Sequence, residues 1–228
     1  MEQQKQDNKP KQPLTIGEWM KAKVSRNRVA ARFKIDRYTN DIPELLRICY
    51  EAEVERRGRR FIDDAETKTH IQKVAKWLVD GKTKAGLFLY GGVGNGKTTM
   101  AKATAQLITH LYDSAYSDER KTVITVSALE LADIAKQEDG ARFARIKNAE
   151  LLHIDDVGCE PTSVKVWGNE ISPLVEVLYH RYDRLLYTVI TSNLYEEDIL
   201  KRYGDRVADR FYEMFDLLSF ENKSYRPR

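Results

Sequence analysis

Gly91-Gly92-Val93-Gly94-Asn95-Gly96-Lys97-Thr98-Thr99 satisfies GxxxxGK[ST] and stands between two apolar patterns of different period. Before it, Gly86-Leu87-Phe88-Leu89-Tyr90 reads as a buried strand. After it, Met100, Thr104, Leu107, Ile108 and Leu111 recur at helical spacing. The glycines therefore fall at a strand-to-helix turn, where consecutive backbone N–H groups can converge on phosphate oxygens and the helix N-terminus adds unpaired donors and a positive dipole end. In that setting residues 91–99 cradle a nucleoside triphosphate: Lys97 reaches its β- and γ-phosphates, and the Thr98 hydroxyl is offered to Mg²⁺.

Working outward, Thr122–Val126, Leu151–Ile154, Tyr187–Thr191 and Leu217–Phe220 are further short apolar runs, most of them separated by helical stretches. That alternation predicts an α/β fold with a parallel sheet. Ser127-Ala128-Leu129-Glu130 fits a capping box that opens a helix. Asp41-Ile42-Pro43-Glu44 reads as another helix start, with Asp41 as its cap, and Asp63–Val79 carries a helical apolar face ending at Gly81. A longer helix is expected over Trp167–Leu186, with Ile171, Leu174, Val175, Leu178 and Tyr182 on one face, and a weakly amphipathic one over Ile16–Phe33.

The 228 residues suit one sizeable core with a short appendage. No apolar run approaches the roughly 20 residues of a membrane helix, and the polar start MEQQKQDNKPKQP is no secretory signal, so a cytoplasmic protein without a membrane partner is expected. Cys49 and Cys159 lack any ligand spacing and are expected to be plain buried thiols. The net charge of +3 divides unevenly: residues 1–62 hold 15 Lys and Arg against 9 Asp and Glu, and the remainder is net negative. The organisation expected is a disordered tail over 1–13, a basic helical extension over 14–60 that binds a partner, and a nucleotide-binding domain over 61–228. The extension's cations, Lys21, Lys23, Arg26, Arg28, Arg32, Lys34 and Arg37 and then Arg56, Arg57, Arg59 and Arg60, suit a phosphate-tracking surface or, equally, a solvated face or protein-docking arm.

Leu151-Leu152-His153-Ile154-Asp155-Asp156 places two carboxylates at the C-terminal edge of the sheet, where open α/β folds bind their ligands. Asp155 is the candidate metal ligand and Asp156 the group that orients or deprotonates water, with Glu160 ranked second for that duty. Asn193 ends the strand Thr188–Ser192 with an amide that could bond phosphate and water, or merely cap the next helix. Arg206 and Arg210, four apart, would share one helix face, either in an internal ion-pair ladder or offered to a neighbouring subunit's phosphate.

Together GGVGNGKTT, LLHIDDVG, the His180-Arg181-Tyr182 to Thr191-Ser192-Asn193 stretch, GDRVADRF and the terminal Ser224-Tyr225-Arg226 resemble the DnaC/DnaI/IstB group of AAA+ ATPases over about residues 59–228. The resemblance implies a five-stranded parallel sheet of order 5-1-4-3-2, with ATP and Mg²⁺ as cofactors. It implies Walker A at Gly91–Thr98, Walker B at Asp155 and Asp156, sensor 1 at Asn193, an arginine finger at Arg210 with Arg206 as companion, and a sensor 2-like arginine at Arg226. It further implies a helicase loader that grips a hexameric DnaB-like replicative helicase through its N-terminal extension, contacts single-stranded DNA and self-associates through the finger. Most AAA+ ATPases carry Glu where Asp156 stands, so slow, DNA-stimulated hydrolysis is expected. With few residues after the last strand, no C-terminal helical lid is expected. An IstB-like transposition regulator acting on double-stranded DNA with a transposase has the same engine, and a binding switch with little turnover fits the shorter Asp156 side chain. A small-molecule kinase would leave the Ser-Asn and paired-Arg motifs without a role.

Overall fold

In the computed structural model, residues 15–26, 32–113, 115, 117–137 and 139–226 are described. The chain divides into two units, 1–30 and 31–228. In the first, helix α1 (Ile16–Arg26) carries Ile16, Trp19 and Met20 at helical spacing, with Lys23 Nζ 5.5 Å from the centre of the Trp19 ring. The expected tail over 1–13 lies outside the described residues.

The second unit runs α2 (Ile42–Glu55), α3 (Ala65–Val79), β1 (Gly86–Gly91), α4 (Lys97–Leu111), β2 (Val123–Ser127), α5 (Ala128–Ala135), α6 (Ala141–Lys147) and β3 (Leu151–Val157). It continues through β4 (Val164–Val166), β5 (Asn169–Ile171), α7 (Pro173–Tyr182), β6 (Tyr187–Ser192), α8 (Glu196–Tyr203), α9 (Asp205–Met214) and β7 (Phe215–Phe220). Its main sheet is parallel throughout, in the order β2-β3-β6-β1-β7. Counting only those five strands along the chain, this is the expected 5-1-4-3-2. Alternate strand residues feed opposite faces, as a period of two requires. Leu87, Leu89, Val189 and Phe220 pack with α2, α3 and α4, whereas Phe88, Ile154, Ile190 and Phe215 pack with α5, α6, α7 and α9.

The body begins earlier than the expected residue 61. Ile42, Leu46 and Tyr50 form a buried stripe on α2 that joins the first core, and buried Glu53 draws in Arg56 (2.8 Å), Arg57 (3.2 Å) and Gln106 of α4 (3.2 Å). Two of the extension's arginines thus neutralise a buried carboxylate. Two cations of the supposed phosphate-tracking stretch are structural as well. Arg32 donates to the carbonyls of Trp77 (2.6 Å) and Asp80 (2.8 Å), and Arg37 stacks 4.5 Å from the Tyr112 ring. Arg28 lies outside the described residues.

Four further expectations are corrected. The helix foreseen over Trp167–Leu186 starts at Pro173, and ahead of it β4 and β5 pair as an antiparallel hairpin. Trp167 (φ 50°) and Gly168 (φ 80°) make its two-residue turn, the left-handed pair that a tight hairpin demands. The helix foreseen over Ile16–Phe33 ends at Arg26 in the described residues, and Phe33 instead packs against Tyr112 and Tyr187. Asp41 precedes α2 without a side-chain bond to it, whereas Asp64 caps α3 by accepting from the Thr67 amide (2.7 Å). Cys159 is exposed and Cys49 only half-buried. The Ser127 capping bond to the Glu130 amide (3.0 Å) is as expected.

Candidate nucleotide site

β1 delivers its chain to the loop at Gly91, whose φ of +129° and lack of side chain let the backbone pass against Phe220 at the end of β7. The loop then turns through Gly94 and Gly96, both left-handed, into the first turn of α4. Lys97 folds back beneath it. Its Nζ donates to the carbonyls of Gly91 (2.9 Å) and Gly92 (2.6 Å), to Asn95 Oδ1 (3.1 Å) and to Asn193 Oδ1 (3.1 Å) at the end of β6. Asn193 therefore faces the loop, and it does not cap α8, which starts at Glu196. Burial pushes the Lys97 ammonium down to about 8, against the opposing pull of Asp156 and Asp155.

The Thr98 hydroxyl donates to Asp155 Oδ1 (2.9 Å), which also accepts from Thr191. Between Ile154 and Val157 the β3–β6 register shifts, and Asp156 adopts φ +55° with its amide bonded to Thr191 Oγ1 (3.0 Å). This bulge turns two successive carboxylates to the same sheet edge, which a regular strand would send to opposite faces. Desolvation and the neighbouring Asp155 charge raise the pKa of Asp156, the direction that suits a proton acceptor. Beside them His153 is fully buried, neither ring nitrogen has a hydrogen-bond partner among the described residues, and burial holds the ring neutral.

Val93 to Thr99, Asp156, Asn193 and Arg226 line one cavity of about 240 Å³. Its far wall comes from residues that the sequence had not assigned to the nucleotide: Tyr50 and Val54 of α2, Arg57, Arg59 and Arg60 after it, then Phe61, Ile62 and Thr67. A donor-rich end and a far wall that sets the apolar surface of Tyr50, Val54, Phe61 and Ile62 beside three arginines suit a nucleotide. A magnesium ion fits the adjacent Thr98 hydroxyl and Asp155 carboxylate, since it keeps several waters and takes few protein ligands. No cluster of three or more His, Cys, Asp or Glu stands ready for a metal among the described residues.

Two other predicted residues, Arg210 and Glu160, do not line this cavity. Arg210, on α9, is exposed away from the cavity with its guanidinium 4.2 Å from the Tyr179 ring centre and 5.7 Å from that of Tyr182. Among the described residues it forms no ion pair, so no internal ladder runs through Arg210. Arg206 belongs to the same helix, and its side chain lies outside the described residues. Glu160, ranked second as base, is buried with its carboxylate bonded to the Gly158 amide (2.8 Å) and the Tyr203 hydroxyl, which removes it from water.

No protein-family model and no curated protein matches the chain. Solved structures do. The DnaC helicase loader is 22% identical, covering 71% of this chain and 93% of its own, with a TM-score of 0.55. DnaI is 20% identical, covering 73% and 87%, with a TM-score of 0.57. The replication initiator DnaA bound to AMPPCP and single-stranded DNA is 21% identical, covering 72% of this chain and 49% of its own, with a TM-score of 0.53. Among the described residues no helix is long and apolar enough to cross a membrane. With its phosphate loop on a 5-1-4-3-2 parallel sheet, the chain has the AAA+ P-loop fold, of the kind seen in DnaC and DnaI.

Proposed function

We propose that the chain is an ATP-dependent helicase loader, which binds ATP with Mg²⁺ and single-stranded DNA, delivers a DnaB-like hexameric helicase, and uses slow hydrolysis to govern release. The observation that carries the reading is the junction of loop and sheet edge: Lys97 meets Asn193 and Thr98 meets Asp155 at the mouth of one cavity. Likeness to the DnaC and DnaI folds over most of their length supports the loader reading. In it, Thr98 and Asp155 would hold Mg²⁺, which would neutralise phosphate charge. Lys97 exchanges its loop carbonyls for phosphate, Asn193 and Asp156 orient and deprotonate water, and Arg226 adds positive charge from the C-terminal side. Arg210, solvent-facing on its tyrosine platform, is available to a second copy's site.

The test has two arms. Lys97→Ala should weaken ATP binding at least about 100-fold and abolish phosphate release. Deleting residues 1–30 should leave ATP binding intact and abolish retention of the helicase in a pull-down. Deletion to residue 60 is uninformative, because it removes α2 and part of the cavity wall. Helicase retention by the 31–228 protein would refute the loader arm.

Lys97 also sets a pH dependence. With its pKa lowered to about 8 by burial, it is charged at pH 7 and becomes neutral as pH rises through that value. ATP affinity should therefore fall between pH 7 and pH 9, by up to about tenfold. Lys97→Arg, weaker throughout, should give a flat profile by fluorescence titration. A flat wild-type profile would show that this ammonium does not meet the phosphates.

A further inference from the structure

Beyond β7 the chain turns back over the phosphate loop. The Asn222 side-chain amide donates to the Asn95 carbonyl (3.1 Å), and the Tyr225 backbone amide donates to the Gly94 carbonyl (2.9 Å). The approach is close: a Cβ built on Gly94 would lie 2.3 Å from Ser224 Oγ and 3.1 Å from Arg226 Cγ. From there the Tyr225 phenol reaches the other side of the cleft. Its hydroxyl donates to Asp64 Oδ2 (2.8 Å) and meets Thr67 Oγ1 (3.0 Å). Asp64 is itself fixed as the cap of α3, two residues beyond the wall residue Ile62. One side chain thus ties the loop that would take phosphates to the segment that forms the apolar end. The next residue, Arg226, lines the same cavity, and its charge acts on both Lys97 and Asp156.

We propose that Tyr225 is a positioning residue of the nucleotide site: by pinning the C-terminal segment between the phosphate loop and the cap of α3, it holds Arg226 at the phosphate end and favours triphosphate over diphosphate. This rests on the nucleotide reading above. An arginine side chain fixed in advance loses less freedom when it meets an anion, and the phenol–carboxylate bond that fixes its neighbour is charge-assisted. Diphosphate presents less charge to Arg226, so loosening the segment costs it less.

The experiment is a titration of the full chain with AMPPCP and with ADP, for wild type, Tyr225→Phe, Arg226→Ala and the double variant. Tyr225→Phe keeps the ring and the backbone bond to Gly94. It should lose about tenfold in AMPPCP affinity and less than about twofold in ADP affinity. In the Arg226→Ala background the same change should have less than about a twofold effect, because the residues act as one unit. Asp64→Asn, which still caps α3 but gives up the carboxylate charge, should show the same selective loss, and provides a second route if Tyr225→Phe lowers stability. Equal losses for both nucleotides, or full additivity with Arg226→Ala, would overturn the assignment. Failure of the wild type to bind AMPPCP would overturn the nucleotide reading, and this assignment with it.

Discussion

Arg181→Ala is expected to destabilise the body by about 3–5 kcal/mol, which takes a large share of the 5–15 kcal/mol that holds an ordinary domain together. Arg181 lies on α7 and is fully buried, yet among the described residues no carboxylate meets it. Its Nε donates to Thr188 Oγ1 (2.8 Å), Nη1 to the carbonyls of Ala149 (2.7 Å) and Lys147 (3.2 Å), and Nη2 to that of Tyr187 (2.6 Å). Lys147 and Ala149 lead into β3, and Tyr187 opens β6, so this one guanidinium ties the entries of two neighbouring strands to α7. Truncation would leave a cavity and strip buried carbonyls of their donor, each such loss costing about 1–3 kcal/mol. Arg181→Lys should recover only part, because an ammonium cannot reproduce the planar fork. The urea midpoint reads the effect directly, and a midpoint within experimental error of wild type would show that the charge is tolerated there and contributes nothing. Nucleotide affinity of the folded fraction should hold, since Tyr187 and Asn193 mark opposite ends of β6.

The same contrast explains what the chain betrays in one dimension. Lys97, Thr98, Asp155 and Asn193 were legible because each stands at the C-terminal end of an apolar run or in the turn beyond it, and strand ends converge by topology. The far wall was not legible. Tyr50, Phe61 and Thr67 come from separate segments, and nothing local in their surroundings says that α2 packs on α4. The stripe Ile42, Leu46, Tyr50 would serve an independent helix equally well. The β4–β5 hairpin was misread because Trp167, Ile171, Leu174, Val175 and Leu178 recur at intervals close to the helical period, while the hairpin turn depends on the backbone of two residues. Trp167 ends up 75% exposed at its tip. The bulge that re-aims Asp156 has no sequence mark either, since any residue pair at the end of β3 could carry it.

Gly91 is the first fixed glycine of GxxxxGK[ST] and Gly92 a free position beside it, and their replacement by alanine should separate them sharply. Gly91→Ala should cost about 3–5 kcal/mol and at least about tenfold in ATP affinity, Gly92→Ala less than about 1 kcal/mol and little affinity. At Gly91 a Cβ would meet the Phe220 carbonyl oxygen at 2.3 Å and its carbon at 3.0 Å, in a backbone conformation (φ +129°) that side chains rarely adopt. Neither partner can yield cheaply. Gly91 and Phe220 are register neighbours in the β1–β7 pair, and the same Phe220 carbonyl accepts from the buried Asn95 amide. Moving Gly91 also displaces one of the carbonyls that holds Lys97. A Cβ at Gly92 meets nothing nearer than Asn95 Nδ2 at 3.8 Å. Unfolding and nucleotide titration on the two variants therefore ask whether the loop is built by backbone approach to β7 or by glycine content alone. Equal losses in both variants would favour glycine content, whereas a loss confined to Gly91→Ala would locate the constraint at the junction of β1 and β7, where the loop's first glycine is wedged against a neighbouring strand.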